Sequence, residues 1–175
     1  GTGEFGLRSL SALAGVATVP VAYLIGIELR GRGAGLMAAA LVAVNPMMLW
    51  YSQEARVYAL FALLCAVSLL YCVRALRHGR RGDVLAWGIA SGLAVATHYF
   101  AIFPVAVEAL LLLRRRGRDS LRGLAVVVLS CLLLAPLAIS QMAAGRADWI
   151  GNFTLGHRLW ETAATFVTGE TGDII

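Results

Sequence analysis

Between residues 9 and 140 the chain is a succession of apolar stretches, most of them close to twenty residues long, separated by short turns crowded with arginine. A helix needs about 20 apolar residues to cross the hydrocarbon core of a bilayer. Composition agrees with that reading. Of the 175 residues, 59% are hydrophobic and 14% are charged, against about 25% charged in a soluble domain. Too few polar groups are present to cover a globule. The pattern therefore predicts an integral membrane protein that is all-α, a polytopic bundle of transmembrane helices.

Six spans are expected, near residues 9–29, 34–50, 57–76, 84–97, 100–113 and 123–140. The apolar stretch over 84–113 is too long for one crossing and is divided at "THYF". Residues 141–175 are more polar and read as an outer loop with an interfacial helix near 159–167. The four prolines, Pro20, Pro46, Pro104 and Pro136, each fall in a predicted span, where neighbours must satisfy the freed carbonyls. Pro46 in "VNPMM" is expected to kink the second helix. Gly88 and Gly92 form a small-xxx-small pair suited to close helix packing, within the bundle or in a dimer. Cys65, Cys72 and Cys131 all lie in apolar runs, and the spacing of the first two is too wide along a helix for a disulfide. All three are expected to be small lipid- or core-facing residues.

Every one of the fifteen basic residues is arginine, and their placement sets an orientation. Arg30, Arg32, Arg74, Arg77, Arg80, Arg81, Arg114, Arg115, Arg116, Arg118 and Arg122 share one side if the spans alternate; Arg8, Arg56, Arg146 and Arg158 take the other. The positive-inside rule puts the first group in the cytoplasm. The same clusters account for the pI near 9.6 through anionic lipid head groups, leaving no need for a nucleic-acid partner. "LWYSQEARVYAL" at residues 49–60, "THYF" and the polar tail then converge on the outer face.

If residues 51–60 are helical, Tyr51, Glu54 and Tyr58 share one face while Gln53, Arg56 and Leu60 share another. Glu54 and Arg56 then cannot form a simple intrahelical pair: either the segment is kinked at the boundary or the two address different partners. Two readings of the motif stand. In one, Trp50, Tyr51 and Tyr58 anchor the chain in the head-group layer. In the other, the arginine fork meets a phosphate and the carboxylate binds a divalent cation or orients a hydroxyl. Glu28 and Glu108, in or near spans, are each expected to pair with an arginine or to reach the boundary.

"RSLSALAGVATVPVAYLIG", "NPMMLWYSQEARVYAL" and "ATHYFAIF", in that order and spacing, resemble the dolichyl-phosphate-mannose protein mannosyltransferase-like family. These are membrane glycosyltransferases of GT-C fold, close to bacterial sugar transferases of lipopolysaccharide and cell-wall assembly. The resemblance is strongest over residues 7–113. It implies transfer of a sugar from a polyprenyl-phosphate donor to a glycan, lipid or protein acceptor on the outer face. It also implies that Tyr51, Gln53, Glu54, Arg56, Tyr58, His98 and Tyr99 lie beside the donor phosphate or a metal. Arg56 is the candidate phosphate ligand, and Glu54 is the candidate second acid. Glu54 and His98 are candidate ligands for a divalent metal ion, although a histidine at a helix end can equally be structural. Asp148 and Trp149 are candidates for an acceptor-side loop.

The resemblance places the family's main catalytic acid in a first outer loop, which is expected upstream of Gly1. The chain is accordingly expected to be a piece of a longer protein and inactive alone. A transporter or flippase of a lipid-linked substrate and a non-catalytic assembly subunit are the alternatives.

Overall fold

The computed structural model of the chain describes residues 2–54 and 56–143, together with Gly156 and Trp160. The described residues are almost entirely helical. The helices are α1 (Thr2–Arg30), α2 (Arg32–Ala43), α3 (Pro46–Gln53), α4 (Tyr58–His78), α5 (Arg81–Thr97), α6 (Ile102–Arg116) and α7 (Leu121–Ala143). Single 3-10 turns precede α6 (Tyr99–Ala101) and α7 (Gly117–Ser120). Gly1, the candidates Asp148 and Trp149 and, apart from Trp160, the expected interfacial helix near 159–167 lie outside the described residues.

Cross-helix contacts give the relative directions. Ser11 on α1 meets Arg56 just before α4, and Glu28 at the other end of α1 meets Arg74 and His78 on α4, so the two helices run parallel. Ser68 of α4 meets Ser91 of α5 near the middle of both, and the short link at Gly79 makes those helices antiparallel. Gly88 and Gly92 of α5 lie on Gly123 and Ser130 of α7, a parallel pairing. One end of the bundle therefore gathers the arginine-rich turns. Each is closed by a glycine at positive φ (Gly31 at 90°, Gly79 at 68° and Gly117 at 54°), a conformation that side chains with a Cβ resist. The other end gathers the α2–α3 bend, the α3–α4 break and the turn after Thr97.

By length and apolarity, three helical runs can cross a membrane: Arg8–Arg30, Tyr58–His78 and Tyr99–Gln141; the bent α2–α3 pair makes a fourth if it is one span. The third run has 43 residues, about 65 Å if straight and twice the hydrocarbon thickness. It is interrupted at Gly117, between α6 and α7. The expected split of 84–113 at "THYF" appears as the end of α5 at Thr97. Large apolar side chains on α6 and α7, such as Phe103, Leu132 and Leu133, remain mostly exposed, as lipid-facing surface would be.

Helices in lipid gain nothing from excluding water between them, so close approach of backbones carries the packing. A Cβ on Gly26 of α1 would lie 2.6 Å from Ala34 O of α2, and one on Gly88 would lie 2.6 Å from Gly123 O. The Gly88/Gly92 pair thus packs within the bundle. The prolines divide into two kinds. Pro20 and Pro136 sit inside helices, whereas Pro46 opens α3 and Pro104 lies in the first turn of α6, where an N–H would have no intrahelical acceptor. All three cysteines are free thiols, Cys72 buried and the other two half-buried.

Glu28 pairs with Arg74 at 2.9 Å and lies 3.1 Å from His78, as expected of an acid near the basic end. For Glu108 the expectation of an arginine partner or a reach to the boundary does not hold. It is 6% exposed within the α4–α5–α6 core and is held by Ser68 and Trp87. The seam offers hydroxyl and indole donors there, which a linear search for nearby arginines overlooks.

The Gly88 contact is testable. Gly88→Leu should lower stability by about 1–3 kcal/mol through overpacking, read as a lower thermal midpoint in detergent. Gly82→Ala, where a Cβ meets no atom within 4 Å, should not lower it.

Candidate functional site

The polar motif owes its shape to Asn45 and Pro46. The Asn45 side chain accepts a hydrogen bond from Met48 N at 2.9 Å, and Pro46 occupies the first helical position. This is a strong helix-start signal, and it turns α3 by 55° from α2. The kink expected at "VNPMM" is therefore a capped break.

Helix α3 stops at Gln53, and Glu54 is extended (φ −83°, ψ 146°). The continuous helix over 51–60 considered from sequence does not form. With the helix broken, Glu54 and Arg56 meet: Arg56 Nε lies 3.6 Å from Glu54 Oε2. Of the two arrangements open to the motif, the kinked one is present. Trp50 Nε1 donates to Glu54 Oε1 at 3.0 Å. Oε2 is buried and accepts no hydrogen bond among the described residues. Ser11 of α1 donates to the Arg56 carbonyl at 3.0 Å, tying the break to the first helix. The Arg56 side chain is 62% exposed and that of Glu54 26%. A pair this exposed contributes about 0–1 kcal/mol, so the guanidinium can exchange its carboxylate for a phosphate, which offers oxygens to more of its N–H groups. The carboxylate that the motif itself supplies is that of Glu54.

Beside this pair runs an aromatic row. The Tyr51 and Tyr58 rings are 4.8 Å apart, Tyr58 and His98 5.8 Å, Phe61 and His98 5.2 Å, and His98 and Phe100 5.1 Å. Tyr51 and Tyr58, placed on one face by spacing, do meet, but across the helix break. His98 Nδ1 accepts from Phe100 N at 3.3 Å and caps the 3-10 turn. With Nδ1 accepting, the neutral ring carries its hydrogen on Nε2, a donor suited to an anionic oxygen. Histidine is thus structural through one nitrogen and chemically available through the other. Gln53 and Tyr99 are exposed and are not members of the stacked row. Ser11 and Phe61 are absent from the pattern read in the sequence, where Trp50 figures as an interfacial anchor and not as the donor to Glu54. Phe61 follows Tyr58 by three residues and could have been found by extending the motif one turn.

Next to the motif, an apolar cavity of about 460 Å³ lies between α1 and the α2–α3 bend, bordered by Gly15, Val19, Pro20, Val42, Leu49 and Ser52. Ser52 belongs to the motif, and Ser11 lies one residue before the cavity wall at Ala12. No group of three His, Cys, Asp or Glu that could hold a metal occurs among the described residues. Glu54 and His98, the candidate ligands expected from the sequence, are joined by no third such ligand among the described residues.

The cap at Asn45 can be checked directly. Asn45→Ala should cost about 1 kcal/mol, measured by thermal unfolding, while Asn45→Asp should retain the cap and the stability.

The family model of the dolichyl-phosphate-mannose-protein mannosyltransferases matches residues 1–140. No curated protein and no solved structure matches the chain. The matched segment contains both the motif break and the His98 turn, and such transferases work in the membrane with a lipid-linked sugar donor and an acceptor. The chain belongs to the dolichyl-phosphate-mannose-protein mannosyltransferase family, a family of membrane glycosyltransferases.

Proposed function

We propose that the chain contributes the donor-phosphate side of a glycosyltransferase site, using a polyprenyl-phosphate sugar on the outer membrane face and a lipid, glycan or protein acceptor. The observation that carries this reading is the meeting of three features at one end of the bundle. These are an exposed arginine held loosely by one carboxylate, a row of rings that includes His98, and an apolar cavity bordered by the motif's own Ser52. A polyprenyl phosphate has the matching parts: an anionic head and a long apolar tail.

In this reading six helical passes alternate across the membrane. The glycine turns with their eleven arginines lie in the cytoplasm, where the positive-inside rule places such clusters. The site then lies on the opposite, outer face. The tail of the donor enters between α1 and the α2–α3 bend.

Transfer requires an acceptor hydroxyl to attack the anomeric carbon as the bond to the donor phosphate breaks. Negative charge grows on the departing phosphate. Arg56 and His98 Nε2 stabilise it, as fixed donors do wherever charge develops in a transition state. Tyr51, Tyr58, Gln53 and Tyr99 shape and border the head-group site. The carboxylate of Glu54, with one oxygen held by Trp50 and the other facing Arg56, is the second acid. It can orient the acceptor hydroxyl or accept its proton once Arg56 turns to the phosphate.

Arg56→Ala should reduce sugar transfer about 10- to 100-fold, matching the loss of a charged hydrogen bond of about 1.5–3 kcal/mol. Glu54→Gln should also reduce it strongly, with expression retained for both. Transfer from a labelled polyprenyl-phosphate sugar in isolated membranes is the measurement, and unchanged rates in both variants would return the motif to an interfacial anchor. Sidedness has its own test in a cysteine-free background. Gln53→Cys should react with a membrane-impermeant maleimide on intact cells, and Arg118→Cys should react only after permeabilisation.

A further inference from the structure

Glu108 lies midway along α6, away from both polar ends of the bundle. Its Oε2 accepts from the Ser68 hydroxyl of α4 and, at 2.8 Å, from Trp87 Nε1 of α5. Ser68 and Ser91 of α5 are 2.8 Å apart through their hydroxyl oxygens. A hydroxyl has one hydrogen to give. If Ser68 donates to Glu108, Ser91 must donate to Ser68. One carboxylate oxygen thus gathers donors from two helices, and the chain of donation runs in one direction. Trp87, Ser68 and Ser91 are all essentially fully buried.

An acid at mid-bilayer costs roughly 2.5–3.5 kcal/mol on insertion scales, so its presence asks what an apolar residue would not supply. The face of α4 along this seam reads Phe61, Cys65, Ser68, Cys72, Ala75, at spacings of three and four. Below Phe61 this face is made of small side chains, which offer little relief to a neighbour, and it shares one buried core with Ala101, Val105 and Leu112. Smooth faces set register weakly, whereas a single buried polar contact can set it firmly. A slip of one helical turn moves a side chain about 5.4 Å. That would carry Phe61, two turns before Ser68 on the same face of α4, off the ring of His98, to which it now stands at 5.2 Å. His98 lies ten residues before Glu108 and leads directly into α6. Phe61–His98 and Ser68–Glu108 are therefore two rungs of one α4–α6 seam.

We propose that Glu108 is a positioning residue: hydrogen-bonded to Ser68 and Trp87, it locks the register of α4, α5 and α6 and so holds His98 against Phe61 and Tyr58 in the donor-phosphate site. The part concerning catalysis rests on the function proposed above; the register lock does not. Because both bonds converge on one oxygen, a glutamine carbonyl can replace the carboxylate.

The test uses the protein in nanodiscs, with thermal unfolding and transfer kinetics read on the same preparations. Glu108→Gln should stay within about twofold of wild type in transfer and keep its unfolding midpoint. Glu108→Leu should raise KM for the donor or lower kcat by about tenfold or more, since a displacement near 1 Å can cost about 10²-fold. In a His98→Ala background, Glu108→Leu should cost less than a further twofold, and Ser68→Ala with Glu108→Leu should be non-additive in unfolding. Three results would overturn the proposal: Glu108→Gln losing transfer as Glu108→Leu does, which marks proton chemistry; additive unfolding effects at Ser68 and Glu108; or a full Glu108→Leu defect persisting without His98, which marks a general loss of packing. Should Arg56→Ala prove neutral while the Ser68–Glu108 coupling in unfolding holds, the functional reading falls and the register lock stands.

Discussion

Close approach of helix backbones at small residues is the contact on which the rest of the bundle depends. In lipid an apolar side chain is as well solvated facing outward as facing a neighbour, so leucine-rich surfaces do not by themselves draw helices together. Gly26 against Ala34 and Gly35, Gly88 against Gly123, Gly92 against Ser130 and Gly15 against Ser52 let the helices touch where a Cβ would intervene. Dispersion over the matched surfaces, small per atom and large in sum, then holds them. The Gly15–Ser52 contact brings α3 close onto α1, where the motif borders the apolar cavity.

At the end of the bundle remote from the arginine turns, polar groups enter this scaffold where a helix is interrupted. The chain leaves helical geometry between Gln53 and Tyr58 and again at His98, and both interruptions lie at the bundle end remote from the arginine turns. Interrupted helices expose backbone groups, which is tolerable near a membrane boundary where water or side chains can satisfy them. The same interruptions let Glu54 meet Arg56 and let Tyr51 stack on Tyr58. A straight helix through the motif would have separated the acid from the arginine by about 200° of rotation. The site is therefore a product of breaking the helix.

Much of this was legible in the chain itself. Apolar run length and arginine turns announced membrane helices, "NP" announced the break before α3, and the spacing of three known motifs announced the family. An arginine partner or a reach to the boundary was also expected of Glu28, and Arg74 is the partner it finds. Less visible were Ser11, held to the Arg56 carbonyl from 45 residues away, and the Glu108 network joining positions up to 40 residues apart. Serines inside apolar runs carry no signal of their own, because a helix can satisfy each hydroxyl with a carbonyl one turn back, as Ser130 does here.

The sequence by itself determined that this chain is helical and apolar enough to cross a membrane, where its helices turn, and which residue types are available at its polar end. Those properties depend on residues close together in the chain, through run length, caps and glycine turns. Tertiary structure alone decided that Glu54 faces Arg56 across a break, that His98 completes a ring row begun by Tyr51, and that Glu108 is held by Ser68 and Trp87 in place of an arginine. The first depends on where the chain leaves helical geometry, and the other two on the register of one helix against another. A pattern with a period of 3.6 residues defines which face packs, but not how far along its neighbour it sits; only the fit of particular glycines and hydrogen bonds selects that.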